Sequence, residues 1–228
     1  QMIELSDSEP RGQDGNYNDI TEFPRITNDM SYNDFFREHL EANKPCVFSG
    51  TFTKDWKARS EWVTDDGQPK VNFFKEHFGA AEVPVANCDQ KHYDSQEKKT
   101  YKINDYIHYW ESLRDPLSEK KQCLYLKDWH FVRDFPNYEA YITPKYFASD
   151  WLNEFWETRD DIKDDYRFVY IGPKQSWTPF HADVFRSYSW SANVCGRKRW
   201  VFYPPGQDVC LRDTFGSIIY DVDSTELK

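Results

Sequence analysis

The chain has no C-x-x-C pair, no apolar run long enough to span a bilayer, no surplus of positive charge and no internal repeat. Each absence removes a class of protein. The five cysteines, Cys46, Cys88, Cys123, Cys195 and Cys210, are odd in number, and several lie in apolar runs. That argues against a disulfide framework and a structural zinc site, and it predicts a reducing compartment. With no signal peptide and no spanning run, the expected location is the cytoplasm, the nucleus also being allowed, and no membrane partner is expected. Lysine and arginine number 29 against 39 acidic residues, which leaves a net charge of -10. Phosphate binding wants a basic face, so nucleic acid is not expected as a direct partner. An acidic enzyme attracts a basic protein substrate, although solubility explains the charge just as well.

What is present in quantity is aromatic. Phe, Tyr and Trp make up 18% of 228 residues, enough for a well-filled interior with aromatic-lined pockets. Residues 1–27 are polar and acidic and read as a poorly ordered tail, and 28–228 read as one domain. A helix is expected over 32–42, capped by Ser31, with Tyr32, Phe36 and Leu40 on one face. A second is expected over 70–78 and a third over 104–113, with Tyr106, Tyr109 and Trp110 inward. Strands are expected at 46–48, at 82–88 with Pro84 marking a sheet edge, and at 123–127 around Tyr125. Residues 89–99 read as a charged loop. A helix over 150–156 is expected to pack Trp151, Leu152 and Phe155 on the sheet.

The chain is organised around 166–206. Strand-like runs at 166–172 and 187–203 flank His181-Ala182-Asp183. In the first, Phe168 and Tyr170 share one face and Arg167, Val169 and Ile171 the other. In the second, Lys198, Trp200 and Phe202 share a face opposite Arg197 and Arg199. One lysine is therefore expected among aromatics, where it needs a partner of opposite charge. A histidine and an aspartate two apart in a strand point the same way, so both can hold one metal ion. His39-Leu-Glu41 and His92-Tyr-Asp94 fit the same pattern but read as a helix end and a charged loop.

These phrases carry a resemblance. CLYLKDWH at 123–130, SDWLNEFW at 149–156, DDYRFVY at 164–170, FHADVFRSYSWSANVCGRKRW at 180–200 and PPGQ at 204–207 closely resemble the core of a JmjC-domain oxygenase. The likeness runs from about residue 32 to 228. It implies an α+β fold with a mainly β core, a double-stranded β-helix of the jelly-roll, cupin-like kind with N-terminal helices. It implies iron(II), 2-oxoglutarate and dioxygen as cofactor and cosubstrates. It also implies a protein substrate, through hydroxylation of a lysine side chain in a eukaryotic translation release factor.

By that resemblance His181 and Asp183 are metal ligands. Two histidines and a carboxylate on one face of an octahedron leave three positions open, the set used by non-haem iron oxygenases. Lys198 pairs the distal carboxylate of 2-oxoglutarate, Tyr125 and Thr178 offer hydroxyls to it, and Ser191 and Asn193 contact the cosubstrate. From the residues alone, Tyr125 equally reads as a core tyrosine, Thr178 as a strand end before Pro179, and Lys198 in Arg-Lys-Arg as a solvated surface. The family places its third ligand, a histidine, several strands downstream, and no histidine follows His181. The expectation is an incomplete barrel that does not turn over alone. The competing expectation is a non-catalytic binding module on an oxygenase-like scaffold.

Overall fold

The computed structural model describes residues 23–113, 121–213 and 215–223, together with the backbone of 2–6. Strand β1 is Met2–Ser6 and β2 is Arg25–Ile26. Helix α1, Tyr32–Phe35, starts on Ser31, whose hydroxyl accepts from the Asp34 amide. It continues as a π-helical turn, Phe36–Glu41, into β3, Val47–Phe48. Helices α2, Lys57–Glu61, and α3, Val71–Phe78, lead to β4, Glu82–His92, and β5, Ser95–Lys102. Then come α4, Ile103–Ser112, β6, Leu124–Trp129, α5, Phe131–Asp134, and α6, Trp151–Glu157. Last are β7, Phe168–Gly172, and β8, Ser191–Cys195.

The main sheet runs β5-β4-β6-β7-β1-β8. The pairs β4–β5, β4–β6 and β6–β7 are antiparallel, and β1 is parallel to both neighbours. The expected α+β architecture with a β core is therefore present, and among the described residues the sheet does not close. Its period-2 alternation gives two buried faces. Val83, Val85, Leu126, Trp129, Val169, Ile171 and Val194 face the helices and join Trp62, Phe74, Tyr106, Trp110 and Phe131 in the main core. The Tyr106 hydroxyl donates to the Ile171 carbonyl at 2.6 Å, which pins α4 to the sheet. Arg59 of α2 donates to the Val194 carbonyl at 2.7 Å and holds β8 in the same way. The second face carries Cys88, Tyr125 and Tyr170, with Phe168 and Trp177 packed against them.

Several expectations need correction. The segment 1–27 contributes two strands rather than only a tail, with β1 inside the main sheet and β2 paired to β3. The Met-Ile-Glu-Leu start is strand-like and was obscured by the acidic residues after it. The tail expectation for 7–22 falls outside the described residues. Residues 89–99 form no loop, because β4 and β5 make a hairpin that turns at Tyr93, with φ of 54°, and Asp94. Its lysines and glutamates suit an exposed edge strand, so β5, not β4, is the edge. Pro84 is tolerated inside the sheet because the β6 ladder begins only at Val85.

In α1 the π-helical turn rotates the stripe. Phe35 and His39 are buried, whereas Tyr32 and Phe36 are exposed. Helix α6 turns its aromatics outward, with Trp151 and Phe155 exposed. Its buried residue is Asn153, which accepts from the Tyr166 amide at 2.7 Å and donates to Asp150 at 2.7 Å. A buried amide that satisfies the β7 approach outweighs the apolar stripe there. The long strand expected over 187–203 is only β8. Gly196, at φ of 73°, turns the chain out of the ladder, and 197–203 has no strand partner among the described residues.

Candidate metal and cosubstrate site on the second face of the sheet

After β7 the chain turns over Tyr125. A Cβ on Gly172 would stand 2.6 Å from Cδ2 of the Tyr125 ring and 2.3 Å from the Ser176 Oγ, so only glycine lets this loop pass so closely. The loop is then tied down at Trp177. Its carbonyl accepts from the Gln96 side-chain amide at 3.0 Å and from the Cys88 thiol at 3.5 Å. That anchor delivers His181 to the open side of the second face.

His181 and Asp183 lie in extended chain outside any ladder, not in the strand expected of them. Alternation still brings them together, with His181 Nε2 3.4 Å from Asp183 Oδ1. The other ring nitrogen, Nδ1, donates to the Pro179 carbonyl at 2.7 Å. That bond commits Nδ1 and turns Nε2 toward Asp183, where it is the nitrogen left for a metal once its proton is lost. The Asp183 hydrogen bond raises the proton affinity of His181. The same bond, aided by the Ser189 hydroxyl, holds the Asp183 carboxyl below its ordinary range. Directly after the pair, Phe185 and Arg186 both take left-handed backbone, with φ of 54° and 53°. Consecutive bulky residues in that region are strained, as is common beside functional groups.

Lys198 reaches the same place from beyond β8. Its ammonium lies 4.2 Å from the Trp200 ring centre and 5.5 Å from that of Tyr170. Burial pushes its pKa down to about 7. It thus does share a face with Trp200 and Phe202, whose rings stack at 5.8 Å. The two rings are the open part of that face, Trp200 being 41% and Phe202 52% exposed, whereas Lys198 itself is half-buried. Arg199 lies on the other side and pairs Asp223 at 3.0 Å.

The remaining expected residues divide. Tyr125 is buried on the second face beside Tyr170, with ring centres 5.9 Å apart. Ser191 and Asn193 do share a face of β8; Ser191 is exposed, and Asn193 donates to the Gly196 carbonyl at 2.8 Å. The Asn193 side-chain oxygen Oδ1 is buried without a partner among the described residues. Thr178 is exposed in the loop before His181. Both decoys differ from their expected settings. His39 is a core residue packed on Phe35, and His92 ends β4 in the exposed hairpin.

Sequence reasoning passed over the charged residues of this face. Lys127 is buried, and its ammonium donates to Gln96 at 2.9 Å. Its charge is felt at His181, where it opposes protonation. The Tyr170 hydroxyl donates to Asp128 at 2.6 Å. Burial chiefly, then Asp128 and Asp183, push the Tyr170 phenol upward. The signal was available in the CLYLKDW phrase, where two charges interrupt an otherwise apolar strand. A separate cluster, also missed, joins His130 to Asp165 at 2.7 Å and to Asp164 at 3.3 Å. Arg133 shares Asp164 at 3.3 Å, so this group reads as a partly exposed polar network, with only Asp165 buried, that fastens α5 to the approach of β7.

Comparison with known proteins places the chain in a family. The profile of the cupin-like domain family matches residues 32–226. The chain is 52% identical over 204 residues to the 2-oxoglutarate and iron-dependent oxygenase JMJD4 of Danio rerio, covering 89% of this chain and 48% of that protein. Against the protein of the same name from Homo sapiens it is 52% identical over 199 residues, 87% of this chain and 47% of that protein. Against the arginine-specific demethylase JMJ20 of Arabidopsis thaliana it is 44% identical over 208 residues, 85% of this chain and 44% of that protein. The chain spans about half the length of the curated relatives it matches.

Proposed function

The chain belongs to the cupin-like domain family of JmjC type, and on that premise we propose that it carries the first part of an iron(II)- and 2-oxoglutarate-dependent oxygenase site that hydroxylates a lysine side chain of a translation release factor. The observation that carries the reading is the His181–Asp183 pair, with Nε2 and Oδ1 3.4 Å apart and Nδ1 committed to Pro179. One imidazole and one carboxylate fit iron(II), and they form two parts of the His-carboxylate facial set. Among the described residues no third histidine, cysteine or carboxylate joins them in a metal-sized group. A third ligand from outside the described residues completes the set in this proposal.

His181 and Asp183 would hold the iron, which with 2-oxoglutarate and dioxygen supplies oxidative decarboxylation coupled to oxygen insertion into a C–H bond. The rest is done by the chain. Lys198 binds the far carboxylate of 2-oxoglutarate, and the Tyr125 hydroxyl is its second donor. Tyr125, Tyr170 and Trp177 pack together as the aromatic floor of this face, while the His181 side chain stays 52% exposed. Lys127, held by Gln96, keeps a positive charge near His181 and discourages its protonation.

The JMJD4 relatives and the plant relative are named for different activities, so the target group is the point to test. The full-length protein is incubated with iron(II), 2-oxoglutarate and a lysine-containing release-factor fragment. Succinate formation that requires the fragment, with oxygen added to a lysine, supports the reading. Methyl removal from arginine without lysine oxidation would replace it. The absence of a third ligand among the described residues favours one other reading, a non-catalytic binding module. The same assay decides it, because a module gives no succinate.

A further inference from the structure

Strand β6 is out of step with β7 by one residue. Leu126 lies opposite Ile171 and Trp129 opposite Val169, three steps against two. Leu126 and Trp129 both face the main core. The two residues between them, Lys127 and Asp128, are therefore both turned to the second face. Asp128 takes the left-handed backbone the bulge needs, with φ of 62°, a conformation aspartate tolerates better than most residues. A bulge of this kind re-aims a side chain, and here it brings a carboxylate to the face that carries the site.

Both oxygens of that carboxylate are engaged. Oδ1 accepts from the Tyr170 hydroxyl at 2.6 Å. Oδ2 accepts from the ammonium of Lys98 on β5. The two partners differ in character. Tyr170 is buried and fixed on β7 within reach of the charge of Asp183. The Lys98 side chain is 44% exposed and comes in from solvent. Burial pushes the Asp128 carboxyl up, but Lys98, Tyr170 and Lys127 together outweigh it and keep the carboxylate charged. Lys127 is not the competing partner, since its ammonium is committed to Gln96. A buried tyrosine thus orients a carboxylate whose other oxygen is covered by a half-exposed cation.

We propose that Asp128, oriented by Tyr170, is the acceptor for a cationic side chain of the protein substrate, and that Lys98 occupies this acceptor until the substrate displaces it. The inference rests on the reading of this face as an oxygenase site, and it adds the group that recognises the substrate's charge. Lys98 is then an internal competitor rather than a stabilising partner. The pair is partly exposed, with the Lys98 and Asp128 side chains 44% and 31% accessible, so removing Lys98 should cost the fold little.

The test uses the full-length protein with 2-oxoglutarate but without iron, so that binding is read without turnover. Two fluorescein-labelled peptides differ at one position, lysine or norleucine, and anisotropy gives their dissociation constants. The wild type should prefer lysine by about tenfold, as expected for a charge-assisted contact in a partly buried site. Asp128→Asn should abolish the preference by weakening only the lysine peptide. Lys98→Ala should tighten the lysine peptide about threefold and leave the norleucine peptide unchanged. Equal binding of both peptides by the wild type would overturn the proposal, as would a Lys98→Ala protein that binds the lysine peptide no better. If Asp128→Asn fails to fold, the Lys98→Ala result decides alone. Lysine oxidation with no peptide preference would sink this inference and leave the function standing. Preference without succinate would do the reverse.

Discussion

The ammonium of Lys198 lies 5.5 Å from the ring centre of Tyr170. These residues come from opposite sides of the His181 turn, one beyond β8 and one in the middle of β7. Their meeting shows that the segment after Gly196, although it leaves the sheet, folds back onto the second face. The face therefore gathers a lysine, the His181–Asp183 pair and an aromatic cluster, the groups proposed to serve the cosubstrate and the metal.

Lys198→Ala should lower 2-oxoglutarate affinity by roughly 2–5 kcal/mol, because a buried carboxylate would lose its charged partner. Arg197→Ala should change it little. Titration calorimetry on both variants checks this, and equal effects would refute the assignment of Lys198 to the site.

The same lysine gives a pH signature. Its pKa, pushed down to about 7 by burial, leaves it largely neutral above that pH in the free protein. Binding a carboxylate requires the ammonium, so 2-oxoglutarate binding should take up a proton. Affinity should fall by up to about tenfold per pH unit as pH rises above neutrality. The sign for folding is opposite, because the unfolded chain holds this proton up to its ordinary pKa of 10.5. The lysine therefore disfavours the folded state at low pH, and that cost fades as pH rises. Calorimetry in buffers of different ionisation enthalpy measures the uptake; no uptake in the wild type would contradict the burial of this group.

Gly172→Ala should cost about 1–3 kcal/mol of stability, as over-packing does, by driving the new methyl into Tyr125 and Ser176. It should also weaken 2-oxoglutarate binding through displacement of Tyr125. Denaturant unfolding and a cosubstrate titration read the two effects. A stability loss with unchanged affinity would remove Tyr125 from the cosubstrate contacts.

Much of the site was legible because it is local. The His181–Asp183 pair, the alternation of β7 and the grouping of Lys198 with Trp200 are all set by spacing within a few residues. What spacing could not show depends on partners. Trp151 and Phe155 look like a core stripe, yet Asn153 takes the buried side because the Tyr166 amide needs an acceptor. Phe202 alternates like a strand residue, but with no ladder beside it the side chain stays half in water. Asp128 draws no reading from the sequence, and only the register of β6 against β7 reveals the extra residue. In each case a non-local partner, present or, among the described residues, missing, decides against the local pattern.

The central claim is that His181 and Asp183 bind the metal on which 2-oxoglutarate docks. The direct measurement is anaerobic absorption of the full-length protein after iron(II) and then 2-oxoglutarate are added. Chelation gives a visible metal-to-ligand charge-transfer band. The account predicts the band in wild type and in Asp94→Ala, Glu41→Ala and Asp165→Ala proteins that remain folded. It predicts no band in His181→Ala or Asp183→Ala, and a band in Lys198→Ala only at much higher 2-oxoglutarate. A band that survives His181→Ala, or one lost in Asp165→Ala while that protein remains folded, would place the metal elsewhere and contradict the account.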